Sequence, residues 1–195
     1  MESGDTRGED YATRLEQLSG ARWKQVFDVQ RPYRWNLRRL ELGRTLDVGC
    51  GIGRNLLNLP PDSLGVDHNR RSVEIARARG LNAVVTDEFE SQRPAEGTFD
   101  SLLFAHVLEH MTPDEARALV RAYLPYTRDK VVAICPQERG YASDATHVTF
   151  LDADDLSGIL EDVGLRVAKA YSFPLPRFCG RVFTYNETVV LAHRR

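Results

Sequence analysis

Between residues 45 and 56 the chain reads Thr-Leu-Asp-Val-Gly-Cys-Gly-Ile-Gly-Arg-Asn-Leu, a short aliphatic run broken by three alternating glycines and followed by helix-compatible residues. Glycines let a backbone turn sharply after a strand and come close to a ligand. The start of a following helix adds N–H groups that lack intrahelical partners. The segment therefore predicts a strand, a tight ligand-facing loop and a helix, the first βα unit of a parallel sheet.

The remaining sequence continues the alternation, with β-branched or aliphatic runs separated by polar helical segments. Strands are expected at Thr45 to Val48, Ser63 to Val66, Ala83 to Thr86, Ser101 to Ala105, Lys130 to Cys135, Leu165 to Ser172 and Arg181 to Ala192. Helices are expected at Asn55 to Leu59, Arg71 to Arg79, Pro113 to Leu124 and Asp152 to Val163, the last opened by acidic residues suited to a helix N-terminus. Upstream, Leu15, Leu18, Trp23, Val26 and Phe27 recur at helical spacing, with a break at Pro32. Residues 1–10 are charged and Gly-rich, which predicts a flexible tail. Residues 11–195 are expected to form one domain, with helices over 11–43 and an α/β core over 44–195.

Composition narrows the class without naming a function. Apolar stretches such as Val131 to Cys135 and Val189 to Ala192 are strand-sized, well below the ~20 residues that span a bilayer, so no membrane is expected. The three cysteines, Cys50, Cys135 and Cys179, lack any paired spacing and read as free thiols of a cytoplasmic protein. A formal charge of −2 gives no global attraction to nucleic acid, and the cluster Arg31, Arg34, Arg38, Arg39 and Arg44 reads mostly as a solvated helix face.

The glycine pattern is G-x-G-x-G, whereas dinucleotide-binding loops carry G-x-G-x-x-G. Asp47, two residues ahead of the first glycine, would repel a pyrophosphate but suits the ammonium and sulfonium of S-adenosylmethionine. Asp67 ends the second strand 20 residues after Asp47, where a carboxylate can hold both ribose hydroxyls. On these residues the chain resembles the class I S-adenosylmethionine-dependent methyltransferases from about Pro32 onward. Asp47 to Gly53 is similar to their first motif, Asp67 with His68 to their ribose site, Asp87 to their adenine-site acid, and Phe99-Asp100 through Ala105-His106 to their fourth motif. The resemblance implies a Rossmann-like, mostly parallel seven-stranded sheet with helices on both faces and an antiparallel last strand. It implies a cofactor site of Asp47, Gly49, Cys50, Gly51, Gly53, Asn55, Asp67, His68, Asp87, Ala105 and His106.

After the fourth strand stands Ala105-His106-Val107-Leu108-Glu109-His110. On a helix His106, Glu109 and His110 would lie at i, i+3 and i+4 and converge. His147, in a polar loop after the fifth strand, should overhang the same crevice. This spacing is similar to metal-dependent O-methyltransferases of the ubiquinone-biosynthesis and small-RNA 2′-O types, where a Glu-x-x-Glu-His run and a later His bind the ion. Here His106 replaces the first Glu. The resemblance implies a divalent metal on His106, Glu109, His110 and His147, magnesium by analogy, with manganese or zinc favoured by the extra nitrogen. The alternative is a metal-independent enzyme in which His110 or His147 is the general base and Glu109 shapes the pocket.

An alcohol is too weakly acidic to attack at neutral pH without a base or a metal, so the cluster points to a hydroxyl acceptor. Tyr33, Trp35, Arg139 and Tyr141 are candidate substrate contacts, the aromatics by stacking and Arg139 by hydrogen bonding. The chain looks most like small actinobacterial-type enzymes, which suggests a sugar O-methyltransferase acting on a mannoside in polysaccharide synthesis; Pro174 and Pro176 stiffen a loop expected to be a fixed roof over the site or an edge for homodimer contact. Quinone or phenol methylation, RNA 2′-O-methylation and a non-catalytic S-adenosylmethionine-binding module stay open as alternatives. A nicotinamide oxidoreductase is disfavoured by Asp47 and the glycine spacing.

Overall fold

Hydrophobic strand runs and amphipathic helices form where their periodicities place them, in a computed structural model that describes residues 31–195. The tail expected at 1–10 and the helical positions Leu15, Leu18, Trp23, Val26 and Phe27 lie outside the described residues. The chain divides into two compact units, the first ending at Arg93 and the second beginning at Pro94.

The first unit holds α1 (Arg31–Arg39), β1 (Thr45–Val48), a single 3-10 turn (Leu56–Asn58), β2 (Leu64–Asp67), α2 (Arg70–Ala78), β3 (Ala83–Val85) and α3 (Thr86–Gln92). β1 and β2 pair in parallel with Leu46 opposite Leu64, and β2 and β3 with Val66 opposite Val84. All four residues of β1 are buried, as expected of a parallel strand covered on both faces. Beneath the glycine loop, Cys50, Leu56, Val73, Ala76, Ala83 and Val85 form one apolar cluster. Each aliphatic side chain buried there contributes roughly 1.5–3 kcal/mol. The Asn69 side chain caps α2 by accepting from the Ser72 N–H at 3.1 Å.

The second unit holds β4 (Phe99–Ala105), a 3-10 turn (Leu108–His110), α4 (Pro113–Tyr123), a further turn (Leu124–Tyr126), β5 (Thr127–Pro136), α5 (Glu138–Tyr141), α6 (Ala153–Asp162), β6 (Leu165–Phe173), a turn (Arg177–Arg181) and β7 (Glu187–Arg194). β4 and β5 are parallel, with Leu103 opposite Val132, whereas β7 runs antiparallel to both β5 and β6. The strand order is β3-β2-β1-β4-β5-β7-β6, a Rossmann-like sheet with a reversed last strand. Thr112 opens α4 and Asp152 opens α6, each in a reciprocal capping box with the residue three positions on, Glu115 and Asp155. No helix among the described residues is long and apolar enough to cross a membrane.

Four boundaries differ from expectation. The last strand starts at Glu187, not Arg181: Arg177–Arg181 forms a turn, and Val182 stays 79 % exposed, so this apolar stretch imitates a strand without the burial that makes one. Thr86 opens α3 instead of closing β3. The helix expected from Asn55 shrinks to one turn because Gly53 precedes it and Pro60-Pro61 follow. Directly after β4 the residues 106–110 do not form the α-helix on which His106, Glu109 and His110 would converge, and only the turn Leu108–His110 precedes α4.

Two glycines of the second unit make opposite predictions. A Cβ on Gly140 in α5 would lie 2.5 Å from the Thr184 carbonyl oxygen and 2.9 Å from the Pro136 Cβ, whereas one on Gly158 in α6 meets nothing. Gly140→Ala is expected to lower stability by roughly 1–3 kcal/mol through overpacking. Gly158→Ala is expected to raise it by about 0.5–1 kcal/mol through helix propensity. Urea unfolding of both variants beside the parent measures the contrast, and equal effects would show this packing to be wrong.

Candidate functional site

In the first unit the loop after β1 is held by one carbonyl. Val66 O accepts the N–H groups of Gly49 at 2.7 Å and Cys50 at 3.1 Å, which folds the loop onto β2. Gly49, Gly51 and Gly53 have φ of 75, 53 and 81°, a left-handed conformation that disfavours any side chain. Asp67 buttresses the loop from the next strand: Oδ2 accepts from Gly51 N at 2.7 Å and Oδ1 from Asn69 N at 2.8 Å. Each oxygen keeps lone-pair capacity for a hydroxyl.

Asp47 is the unusual member of this group. Its side chain is fully buried, and neither carboxylate oxygen has a hydrogen bond among the described residues. Burial pushes its pKa up to about 7, the Asn55 amide opposes this, and the Asp67 charge adds to it. A carboxylate left so is short of a cationic donor. Cys50 lies beneath the loop with its thiol held neutral by burial, ahead of the charges of Asp47 and Asp67. His68 is exposed, with Nδ1 3.9 Å from Asp67 Oδ1, and Asp87 stands exposed in the first turn of α3. Tyr33 and Trp35 lie on α1, where the Arg39 guanidinium sits 4.7 Å above the Trp35 ring.

In the second unit two segments meet as expected. Glu109 O accepts from Val148 N at 2.8 Å and Thr149 N at 3.1 Å, tying the loop that carries His147 to the turn after β4. Ligand atoms of Glu109, His110 and His147 lie within 4.8 Å of one another. His147 Nδ1 lies 2.6 Å from Tyr141 O and His110 Nδ1 lies 3.1 Å from Thr146 O. Carbonyls only accept, so both Nδ1 atoms carry a proton, and in the neutral imidazole the lone pair stands on Nε2. Tyr141 stacks on His147 with ring centroids 5.2 Å apart, so it acts as a wall for that imidazole, while Arg139 lies exposed on α5.

His106 does not join this group. It follows the last residue of β4, the buried Ala105, at φ 59°, and both ring nitrogens face carboxylates: Nε2 is 2.8 Å from Glu187 Oε1 and Nδ1 is 3.4 Å from Glu109 Oε1. Desolvation works against its charge, but Glu109 and Glu187 outweigh it and raise its pKa well above the ordinary histidine value. Burial pushes the Glu109 carboxyl up, and His106 more than reverses this, leaving it below its usual range. The buried Cys135 thiol donates to Glu109 Oε2 at 3.3 Å. Glu187 and Cys135 escaped the sequence reading. The signal for Glu187 is a lone charge opening an otherwise apolar strand.

A family described as a methyltransferase domain matches residues 22–170 of this chain. The protein belongs to that family. Its strand order and glycine loop place it among the class I S-adenosylmethionine-dependent methyltransferases. Similar solved structures show the same fold. They include a S-adenosylmethionine-dependent methyltransferase of Archaeoglobus fulgidus (TM-score 0.67, 20 % identity, 88 % of this chain and 98 % of that one). Another is the magnesium protoporphyrin IX methyltransferase of Synechocystis PCC 6803 with bound S-adenosylhomocysteine (TM-score 0.61, 16 % identity, 86 % of each chain). Among curated proteins, probable tRNA methyltransferase 9B of Mus musculus is 31 % identical over 108 residues, and that of Homo sapiens 36 % over 72. The mouse match covers 55 % of this chain and 22 % of that protein, so the chain spans only a small part of these relatives.

For a methyltransferase of this family, the unpartnered Asp47 suits the α-ammonium of S-adenosylmethionine, and Asp67 the ribose diol. The raised Asp47 pKa gives a signed prediction. Ionising Asp47 costs the ligand-free fold stability, so its contribution is intact below about pH 4 and lost as pH rises through about 7. Asp47→Asn removes that loss. Ligand-free Asp47→Asn should therefore match the parent near pH 4 and exceed it at pH 8 in thermal unfolding. S-adenosylhomocysteine binding to the parent at pH 7 should release about half a proton as the ammonium draws the carboxylate into its charged form. Calorimetry in two buffers of different ionisation enthalpy reads this directly.

Proposed function

We propose that this methyltransferase moves the methyl group of S-adenosylmethionine to a hydroxyl oxygen of a small acceptor, a sugar or vicinal diol being the favoured class. One observation carries the reading: His110 and His147, each with Nδ1 against a backbone carbonyl, come together with the buried Glu109 so that ligand atoms of all three lie within 4.8 Å of one another. A sulfonium donor is already activated, so the protein mainly aligns the reactants and excludes water. A hydroxyl acceptor additionally has a proton to lose, and an imidazole Nε2 is the group that accepts it. An amine or thiol acceptor has no such need.

The same three residues fit a divalent cation. Two imidazole nitrogens with one carboxylate form a donor set suited to manganese, zinc or iron more than to magnesium. Glu109 supplies the carboxylate: its buried Oε1 makes no hydrogen bond and is in ion-pair contact with His106 Nδ1 at 3.4 Å. A cation held by Glu109, His110 and His147 would lower the pKa of a bound hydroxyl. Residues 11–195 are read as a single methyltransferase domain, with Asp47, the loop glycines, Asn55, Asp67, His68 and Asp87 on the donor side. Tyr141 keeps a place on the acceptor side; Tyr33, Trp35 and Arg139 remain candidate acceptor contacts.

A tRNA acceptor is the second reading, favoured by the names of the 31–36 % identical relatives. The chain's charge of −2 supplies no broad phosphate-binding field, and the arginines of α1 would have to bear it. Transfer of labelled methyl to a panel of sugars, diols, phenols and bulk tRNA separates the two. The hydroxyl reading expects His110→Ala and His147→Ala each to reduce turnover by roughly 10²–10⁴-fold with S-adenosylhomocysteine affinity unchanged. Methylation of a tRNA base nitrogen, indifferent to both substitutions, would overturn it.

A further inference from the structure

We propose that Glu187 is a positioning residue: through His106 it fixes the orientation of Glu109, and with it the arrangement of the Glu109, His110 and His147 cluster. The inference rests on the reading of that cluster as the acceptor-side machinery, and nothing in the reading itself requires Glu187.

Glu187 is the first residue of β7, 81 positions from His106, and its side chain is only 11 % exposed. Its Oε1 takes the Nε2–H of His106 at 2.8 Å, while His106 Nδ1 faces Glu109 Oε1 at 3.4 Å. One imidazole thus spans two carboxylates from different elements. The backbone is bent to achieve this. His106 is a non-glycine residue at φ 59°, a conformation that costs roughly 1–2 kcal/mol, held by its N–H on Ile134 O at 2.9 Å. In the ordinary extended continuation of β4 the side chain would leave this position.

Glu187 is itself firmly seated. Its carbonyl accepts from the fully buried Gln137 Nε2 at 3.1 Å, and Gln137 Oε1 accepts from Asn186 Nδ2 at 2.8 Å. Asn186 Oδ1 in turn accepts from Leu175 N at 2.9 Å. A Cβ on Gly180 would lie 2.0 Å from Gln137 Oε1, so the amide is packed on that side as well. Buried, fully paired amides are poor hinges, which makes the start of β7 a fixed point. From it the contact runs through His106 to Glu109, whose other oxygen is held by Cys135. Such outer partners of ligating or catalytic groups commonly set their geometry, and losing one commonly costs 10–100-fold in metal affinity or activity.

The test compares Glu187→Ala, which removes the acceptor, with Glu187→Gln, whose amide oxygen can still take the His106 N–H. Two readouts are used on the full chain: histidine side-chain nitrogen NMR of labelled protein without metal, and the Mn²⁺ dissociation constant. S-adenosylhomocysteine affinity serves as the control. Glu187→Ala should shift the ring signals of His106 and also those of His110 and His147, and should raise the Mn²⁺ dissociation constant by about tenfold or more. Glu187→Gln should keep the parental pattern in both. If only His106 moves in Glu187→Ala, or if Glu187→Gln fails as fully as Glu187→Ala, the inference is overturned. If the parent binds no Mn²⁺, the cation reading falls, and the NMR comparison alone decides this one. Should Glu187→Ala not fold, Glu187→Asp, which keeps the charge but withdraws it by a methylene, is read in the same way.

Discussion

A carboxylate buried without a hydrogen bond is among the less favourable arrangements a fold can hold, and Asp47 is in that position. Its neighbours explain why it is kept. The third position of β1 puts it directly beneath a loop whose turn depends on Val66 O accepting two successive N–H groups. The Asp67 carboxylate is then spent on Gly51 N and Asn69 N and does not neutralise anything nearby. The first unit therefore leaves a buried demand for positive charge at Asp47, which a ligand carrying an ammonium would meet. The apolar cluster beneath the loop fixes these backbone positions in advance, so little ordering is left for the ligand to drive.

The second unit solves a different problem, that of holding imidazole lone pairs in a chosen direction. Each of His110 and His147 gives its Nδ1 proton to a backbone carbonyl, from Thr146 and Tyr141. Backbone acceptors cannot rotate away, so they hold both rings in a fixed orientation. Glu109 does double duty: its carbonyl anchors the loop bearing His147, and its carboxylate faces the two rings.

Much of this was legible in the sequence where the signal is local. The glycine spacing, with Asp47 ahead of it and Asp67 after it, predicts the turn between β1 and β2 that the structure shows, because each follows directly from a strand end. The capping boxes at Thr112 and Asp152 likewise declare their helices. What failed was reasoning from an assumed local geometry. Helical spacing predicts His106, Glu109 and His110 on one face, but the chain leaves β4 through a left-handed residue, so His106 is turned between Glu109 and Glu187 and does not converge with His110 and His147. The exposed Val182, Phe183 and Tyr185 resembled a strand, since apolar composition alone does not report burial. Glu187 was invisible for a third reason: its partner lies 81 residues away, and no periodicity links them.

The position of His106 also bears on the choice between acceptors. A histidine whose two nitrogens are both engaged by carboxylates has no lone pair for a metal and none for a substrate proton. Counting it as a ligand would have made the site nitrogen-rich; counting it as a bridge leaves two imidazoles and one carboxylate. With Glu109 and Glu187 both beside it, the bridging imidazole offsets only part of their negative charge. A phosphate-rich acceptor would have to bring its anionic backbone toward that surplus, whereas a neutral hydroxyl compound meets no such opposition.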